Sequence, residues 1–252
     1  MMARPSFLHI QSRDPEAPLV LLCEHASNVV PPPLQTSAQD HPWLQTHWAW
    51  DIGVATVIKT VAEQLGCSAV MANFSRLVCD PNRPVSDDTF IRYELEGHAL
   101  SFNQHINSDE VQRRVETYYE PYHQAVERMI QTRLKMNANF LVFSIHSFTP
   151  NYLGQQREVE VGVLYDDYEK EAHQMRDGFK AHGFDVRLNE PWSGVDGMMF
   201  SPHKHGTQHN LVNLELEVRQ DLIGNDNQAH GFGLILAKIL KDLCRWRFAN
   251  QS

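Results

Sequence analysis

The chain has 252 residues, 42% of them hydrophobic and 21% charged, with a formal net charge of −9 at pH 7. That composition suits one sizeable hydrophobic core and excludes a disordered tail. The acidic balance argues against binding nucleic acid or an anionic membrane through bulk charge, so an anionic ligand would need locally clustered arginines.

Taken in chain order, residues 1–18 have no long apolar run after their basic residues, and no signal peptide is expected. No stretch approaches the ~18 apolar residues of a membrane span. Residues 19–23 (LVLLC) read as a strand buried on both faces. Pro31-Pro32-Pro33 follows, too short for a linker, and stiffens a loop beside that strand end. Residues 48–65 carry apolar side chains at helical spacing and stop at Gly66, a normal C-terminal signal. Residues 69–74 form a second strand. Residues 109–136 make a long, charged, amphipathic helix, which Pro121 is expected to kink or split.

Residues 140–145 (FLVFSI) form the third strand, and residues 159–165 (VEVGVLY) alternate in part, as suits a strand nearer a sheet edge. A helix over 168–182 ends at Gly183, and residues 185–188 form a short strand. The SPHKHG segment, with His203 and His205, reads as a Gly/Pro-flanked loop. Residues 211–218 (LVNLELEV) alternate apolar and polar, and residues 228–247 form a C-terminal helix. Strands alternating with helices, with no shift in composition, predict one α/β domain over residues 1–252. Its expected form is a three-layer sandwich, a central mixed and mostly parallel sheet flanked by helices. Cys23, Cys67, Cys79 and Cys244 form no CxxC pair and no disulfide framework. They read as small buried hydrophobes in a reducing cytoplasm.

In such sheets ligands bind outside the carboxyl ends of the strands, and there the strong strands share a pattern. The first runs into Glu24-His25, the third into His146-Ser147, and the last carries Glu215 and Glu217 before Arg219. Ionisable groups directly after buried apolar strands are costly unless paired, hydrogen-bonded or bound to metal. Two histidines and a carboxylate make a first set of ligands for a catalytic zinc and leave a position open for water. His25 and His146 are the histidines. Asp51 and Glu24 compete to be the third ligand. Glu24 adjoins His25, and neighbouring strand residues point to opposite faces unless the chain bends. Asp51 could instead be a carboxylate serving a helix N-terminus. Glu217 is the candidate general base and acid, against a solvated strand end or a salt bridge to Arg219. In NFSRLVCDPNRP (residues 73–84), Arg76, Asn82 and Arg83 could form a fork for a substrate carboxylate, or make surface salt bridges, with Asp80-Pro81-Asn82 as the turn.

These pieces resemble the N-formylglutamate amidohydrolase family. The resemblance rests on CEHAS (23–27), WAWDIG (48–53), SRLVCDPNRP (75–84), SIHSF (144–148), NEPWSG (189–194) and LELEVRQDLI (214–223), in family order. It implies hydrolysis of an N-acyl amino acid, in the namesake case N-formylglutamate to formate and glutamate. It also implies a fold like that of the zinc exopeptidases, a phosphorylase/hydrolase-like sandwich. The carboxypeptidase-like order of metal histidine, polarising arginine, Asn-Arg carboxylate pair, second metal histidine and catalytic glutamate is matched by His25, Arg76, Asn82-Arg83, His146 and Glu217. Glu24 and Ser147 join the candidate substrate contacts. The implied cofactor is one divalent ion, zinc by its ligands, and the implied partner is a small anionic N-acyl amino acid. The chain departs from the family's PHSG pattern at the first metal position, where it has CEHAS. That makes it resemble a sister branch, for which other N-acyl amino acids or short peptides are alternative substrates. A metal-free module that senses an acidic metabolite is the alternative outside catalysis.

Overall fold

The computed structural model describes residues 5–14, 16–136 and 139–248. The first half contains β1 (Phe7–Ile10), β2 (Leu19–Cys23), α1 (Val54–Leu65), β3 (Ser68–Ala72), a small hairpin of β4 (Glu94–Leu95) and β5 (His98–Ala99), α2 (Ser108–Arg114) and α3 (Glu120–Leu134). The second half contains β6 (Leu141–Phe148), a hairpin of β7 (Asn151–Tyr152) and β8 (Gln155–Gln156), β9 (Val161–Leu164), α4 (Glu169–Lys180), β10 (Val186–Leu188), α5 (Phe200–Gln208), β11 (Val212–Arg219) and α6 (Asp226–Phe248).

Seven strands form one sheet in the order β1-β3-β2-β6-β11-β9-β10. The central strands β3, β2, β6 and β11 run parallel. β1 pairs antiparallel on one edge; at the other side β9 runs antiparallel to β11 and carries β10 parallel to itself. The sheet is therefore mixed and mostly parallel, and helices cover both faces.

The period of two in the strands sorts residues between those faces. Leu19, Leu21 and Cys23, with Phe143, Ile145, Leu214, Leu216 and Val218, join one apolar core with side chains of α1, α4 and α6. Their neighbours Val20, Leu22 and Val142 join a second core under α3. The same alternation, continued toward the carboxyl ends, puts Ser144, His146, Glu215 and Glu217 on one face, in register as Ser144–Glu215 and His146–Glu217. One face of β6 and β11 thus changes from apolar to ionisable near the strand ends, while the other stays apolar.

α1 buries Val54, Val57, Ile58 and Val61, which recur at i, i+3, i+4 and i+7. Full burial of such side chains contributes about 1.5–3 kcal/mol each. α1 begins at Val54 rather than near residue 48, because Gly53 has φ of +84°, and a Cβ there would collide with the carbonyl of Ile223. Residues 48–53 are thereby free to form a loop over the strand ends. The Pro121 expectation is met by a π-helical turn at Val115–Tyr119, with the proline in the first turn of α3, where its missing N–H costs little.

Three features differ from the sequence reading. β1 was not anticipated; it caps the sheet by pairing with β3. The SPHKHG segment is not a loop but the body of α5, and His205 is buried within it. The third strand runs on to Phe148, so His146 and Ser147 lie inside β6 and not beyond it. All four cysteines are buried and unpaired. Among the described residues, no helix is long and apolar enough to cross a membrane.

Candidate metal centre and active site

β2, β6 and β11 lie side by side, so their carboxyl ends bring Glu24-His25, His146-Ser147 and Glu215–Glu217 together. The loop before α1 folds over them, fastened by the Asp51 N–H donating to the His25 carbonyl at 2.9 Å. His25 Nδ1, His146 Nδ1 and Asp51 Oδ2 then form a triangle with sides of 3.0, 2.9 and 3.4 Å. All three residues are buried, and they are the one group among the described residues with the spacing of a metal site. Two imidazole nitrogens and a carboxylate oxygen are a zinc-type donor set. Around a tetrahedral ion they would sit about 3.3–3.4 Å apart, so the triangle needs to open by only a few tenths of an ångström.

The outer ring nitrogens are also held. His25 Nε2 meets Asp80 Oδ1 at 2.7 Å, and His146 Nε2 meets Glu24 Oε2 at 3.0 Å. Carboxylates in these positions fix the ring orientation and present the other nitrogen to a cation. This corrects both expectations for Glu24. It is neither the third ligand nor a wall of the cavity; it is fully buried and accepts hydrogen bonds from Tyr122 and Ser144. The chain turns directly after Cys23, so Glu24 keeps the strand's orientation while His25 reaches over the sheet end. Asp51 likewise has no helix-capping bond: its Oδ2 accepts the Ser147 N–H at 3.1 Å and faces the histidines. The Ser147 hydroxyl donates to the Ile52 carbonyl, so Ser147 anchors the overlying loop while lining the cavity.

The charge balance of the site favours a cation. Glu24, Asp51, Asp80, Glu215 and Glu217 surround the two histidines, and Arg76 is the cation paired with them, through Asp80. Burial opposes protonation of His146, but Glu215, Asp51 and Glu24 outweigh it and raise its pKa well above the ordinary value. Burial likewise opposes ionisation of Asp80, yet Arg76 and His25 hold its pKa well below the carboxylate range. A divalent cation would compensate the carboxylates in place of the proton on His146.

Glu217 stands one strand over from His146 and lines the same cavity. Its Oε2 is buried with no hydrogen-bond partner among the described residues. Burial raises its pKa well above the usual carboxylate value; Asp51 and Glu215 add to this, and His146 and Arg76 oppose it. The salt bridge to Arg219 is absent, because Arg219 pairs with Asp221 and Glu160 instead. Gly162 lies opposite Glu217 in the antiparallel register, and any side chain there would strike the Glu190 carbonyl. Glycine therefore lets the loop with Trp192 close against the sheet beside the cavity.

The Arg-rich stretch divides by role. Arg76 donates Nε and Nη2 to Asp80 Oδ2, at 3.0 and 2.7 Å, and leaves Nη1 near the cavity, 3.9 Å from Asp51 Oδ1. Asn82 uses its amide inside the fold, donating to Glu215 at 3.3 Å and accepting the Ser201 N–H at 2.8 Å. Arg83 is less committed: its Nη1 lies 3.6 Å from the Met198 sulfur and 3.8 Å from Asp87. Sequence reasoning missed Arg92, Arg157 and His47, which line the cavity from separate loops, and the part Asp80 plays behind His25. Glu215 was noted but given no role; its alternation with Glu217 was the available sign that both share a face. Burial pushes the Glu215 carboxyl up to about 7. The cavity opens to solvent and leaves room for about 100 Å³ of water-sized occupants between these side chains.

A family model described as N-formylglutamate amidohydrolase matches residues 17–224. A gene product of Agrobacterium tumefaciens of known structure is 30% identical, over 95% of both chains, with a TM-score of 0.86. The N-formylglutamate amidohydrolase of Ralstonia eutropha shares the fold, with a TM-score of 0.79 at 17% identity, over 98% of this chain and 99% of that one. No protein with a curated description matches.

Proposed function

The chain belongs to the N-formylglutamate amidohydrolase family, and from that premise we propose that it hydrolyses the amide bond of a small N-acyl amino acid, N-formyl-L-glutamate first among them, with a divalent metal held by His25, Asp51 and His146. The observation that carries this is the closing of those three donor atoms to within 3.4 Å of one another, beside an unpaired buried carboxylate on the adjacent strand. A bound zinc would supply Lewis acidity toward the amide carbonyl and lower the pKa of water.

The remaining work falls to the chain's own groups. Glu217 takes the proton from the attacking water and delivers it to the leaving amine nitrogen, so water and amide become carboxylic acid and amine. Its Oε2, without a hydrogen-bond partner among the described residues, is available for both transfers. Arg76 offers Nη1 to the developing oxyanion, held in place by its two bonds to Asp80. Arg83 receives the substrate α-carboxylate, and Asn82 positions the segment between them through Glu215 and Ser201.

Protein purified without chelator or histidine tag should carry about one zinc per chain and release formate from N-formyl-L-glutamate. A panel of N-formyl, N-acetyl and N-succinyl amino acids identifies the acyl group. Absence of metal together with absence of turnover in added zinc would overturn the proposal. Ligand-induced stabilisation in that same experiment would point to the sensing module instead.

A further inference from the structure

We propose that Arg157 is a specificity-determining residue: a guanidinium held in an aromatic cage that receives a second carboxylate on the substrate, separate from the one bound at Arg83. Four arginines line the cavity, namely Arg76, Arg83, Arg92 and Arg157. Arg76 is neutralised by Asp80 at 2.7 Å. Among the described residues no carboxylate lies within 4.0 Å of Arg92 or Arg157, and the nearest to Arg83 is Asp87 at 3.8 Å. Asp51, Glu215 and Glu217 line the same cavity, but among the described residues none of them pairs with Arg83, Arg92 or Arg157, so these guanidiniums are open to an anionic ligand with more than one charge.

Arg157 is built for such contact. Its guanidinium carbon lies 4.6 Å from the Tyr152 ring centroid, 4.8 Å from Trp192 and 5.5 Å from Phe148. Its backbone N–H is fixed on the Pro150 carbonyl at 2.8 Å, directly after the β7–β8 hairpin. Among the described residues the side chain makes one hydrogen bond, a long one of 3.5 Å to the Thr149 carbonyl. Three aromatic rings confine the guanidinium, and the rings themselves offer its N–H groups no hydrogen-bond acceptor oxygen or nitrogen in return for position. The group is thus fixed in position with its donors left over, and the side-chain entropy of binding is largely lost in advance. Its fork matches a carboxylate in bidentate fashion. A neutral amide at that place would leave the charge uncompensated in a partly buried cavity. Arg92 lies near Arg76 and Arg83, and Arg157 lies near Glu217.

The identity of the substrate rests on the amidohydrolase reading, but the anion site does not, and the test keeps them apart. Calorimetric titration of the zinc-loaded protein should show glutarate binding about a hundredfold tighter than the monoanion valerate. Arg157→Met should bring the two ligands to similar affinity, and Arg157→Lys should restore part of the difference. In turnover, the preference for N-formyl-L-glutamate over N-formyl-L-glutamine should collapse in Arg157→Met by about the same factor. Equal binding of glutarate and valerate by the native chain, or a preference that survives in Arg157→Met, would overturn the assignment. Intact discrimination in binding without turnover would support Arg157 while removing the hydrolase reading.

Discussion

His25 and His146 at the strand ends, and His123 and His205 between α3 and α5, are both buried pairs, with ring nitrogens 3.0 Å and 2.9 Å apart respectively. Their surroundings differ. In the first pair each outer nitrogen rests on a carboxylate, and Asp51 closes the triangle. In the second pair His123 Nε2 has no hydrogen-bond partner among the described residues, Lys204 lies beside the rings, and the nearest carboxylate to His205 Nδ1 is Glu127 at 3.6 Å. Burial and Lys204 push His123 well below the ordinary histidine pKa and His205 down to about 4. His146 moves the opposite way, because its carboxylates overcome burial. Residue type, burial and spacing are alike in the two pairs. The charges behind the rings make one pair the better fit for the proposed metal and the other a neutral packing pair.

The largest expected effect tests this contrast directly. His146→Ala should lose the bound metal and reduce kcat/KM by about a thousandfold or more, whereas His205→Ala should keep the metal and lose about 1–3 kcal/mol of stability. Metal analysis and urea unfolding of both variants decide it; metal lost equally from both would break the comparison. Glu217→Gln should retain the metal yet lower kcat by about 10²–10⁴-fold, read from formate release. Next, Asp80→Asn and Glu24→Gln should weaken zinc affinity by about 10–100-fold in competition with a chelator, because each removes the support of a ligand ring. Glu127→Gln, beside the other pair, should leave zinc affinity unchanged.

The smallest effect concerns pH. The folded pKa of His205 is depressed below the unfolded value of about 6.5, so the unfolded chain binds more protons between the two. Stability should fall as pH drops from about 6.5 toward about 4; His123, also depressed, contributes in the same direction, so His205→Gln should lessen that slope by on the order of 2–3 kcal/mol over the window without abolishing it. Lys204, Glu127 and His123 face the ring from α5 and α3 and are unchanged in that variant. Unfolding midpoints at several pH values provide the measurement, and an equal slope in variant and native chain would contradict the assignment.

Particular residues show how far the sequence carried. LVLLC announced its strand as a short continuous apolar run and LELEV by a period of two, both local properties, and the second also carried the fact that Glu215 and Glu217 share a face. α5 was missed because glycine and proline in SPHKHG suggest a loop, while the helix is held by packing on β6 and β11. A local propensity gave way there to tertiary contact. Glu24 was misread because its partner lies 122 residues away. Arg157 carried no sign at all: its cage comes from β6, a hairpin and a distant loop.

The alternation of strands and helices, the ionisable residues placed after buried apolar runs, and the ordered set from His25 to Glu217 are all written along the chain. These are readable because they depend on spacing along the chain. That β2, β6 and β11 stand side by side, so that three donor atoms meet, follows from the folded arrangement. It also decided that Asp80 and Glu24 stand behind the histidine rings, and which arginines are neutralised and which are left open. Those outcomes depend on strand order and loop path, which bring together side chains that no local periodicity relates.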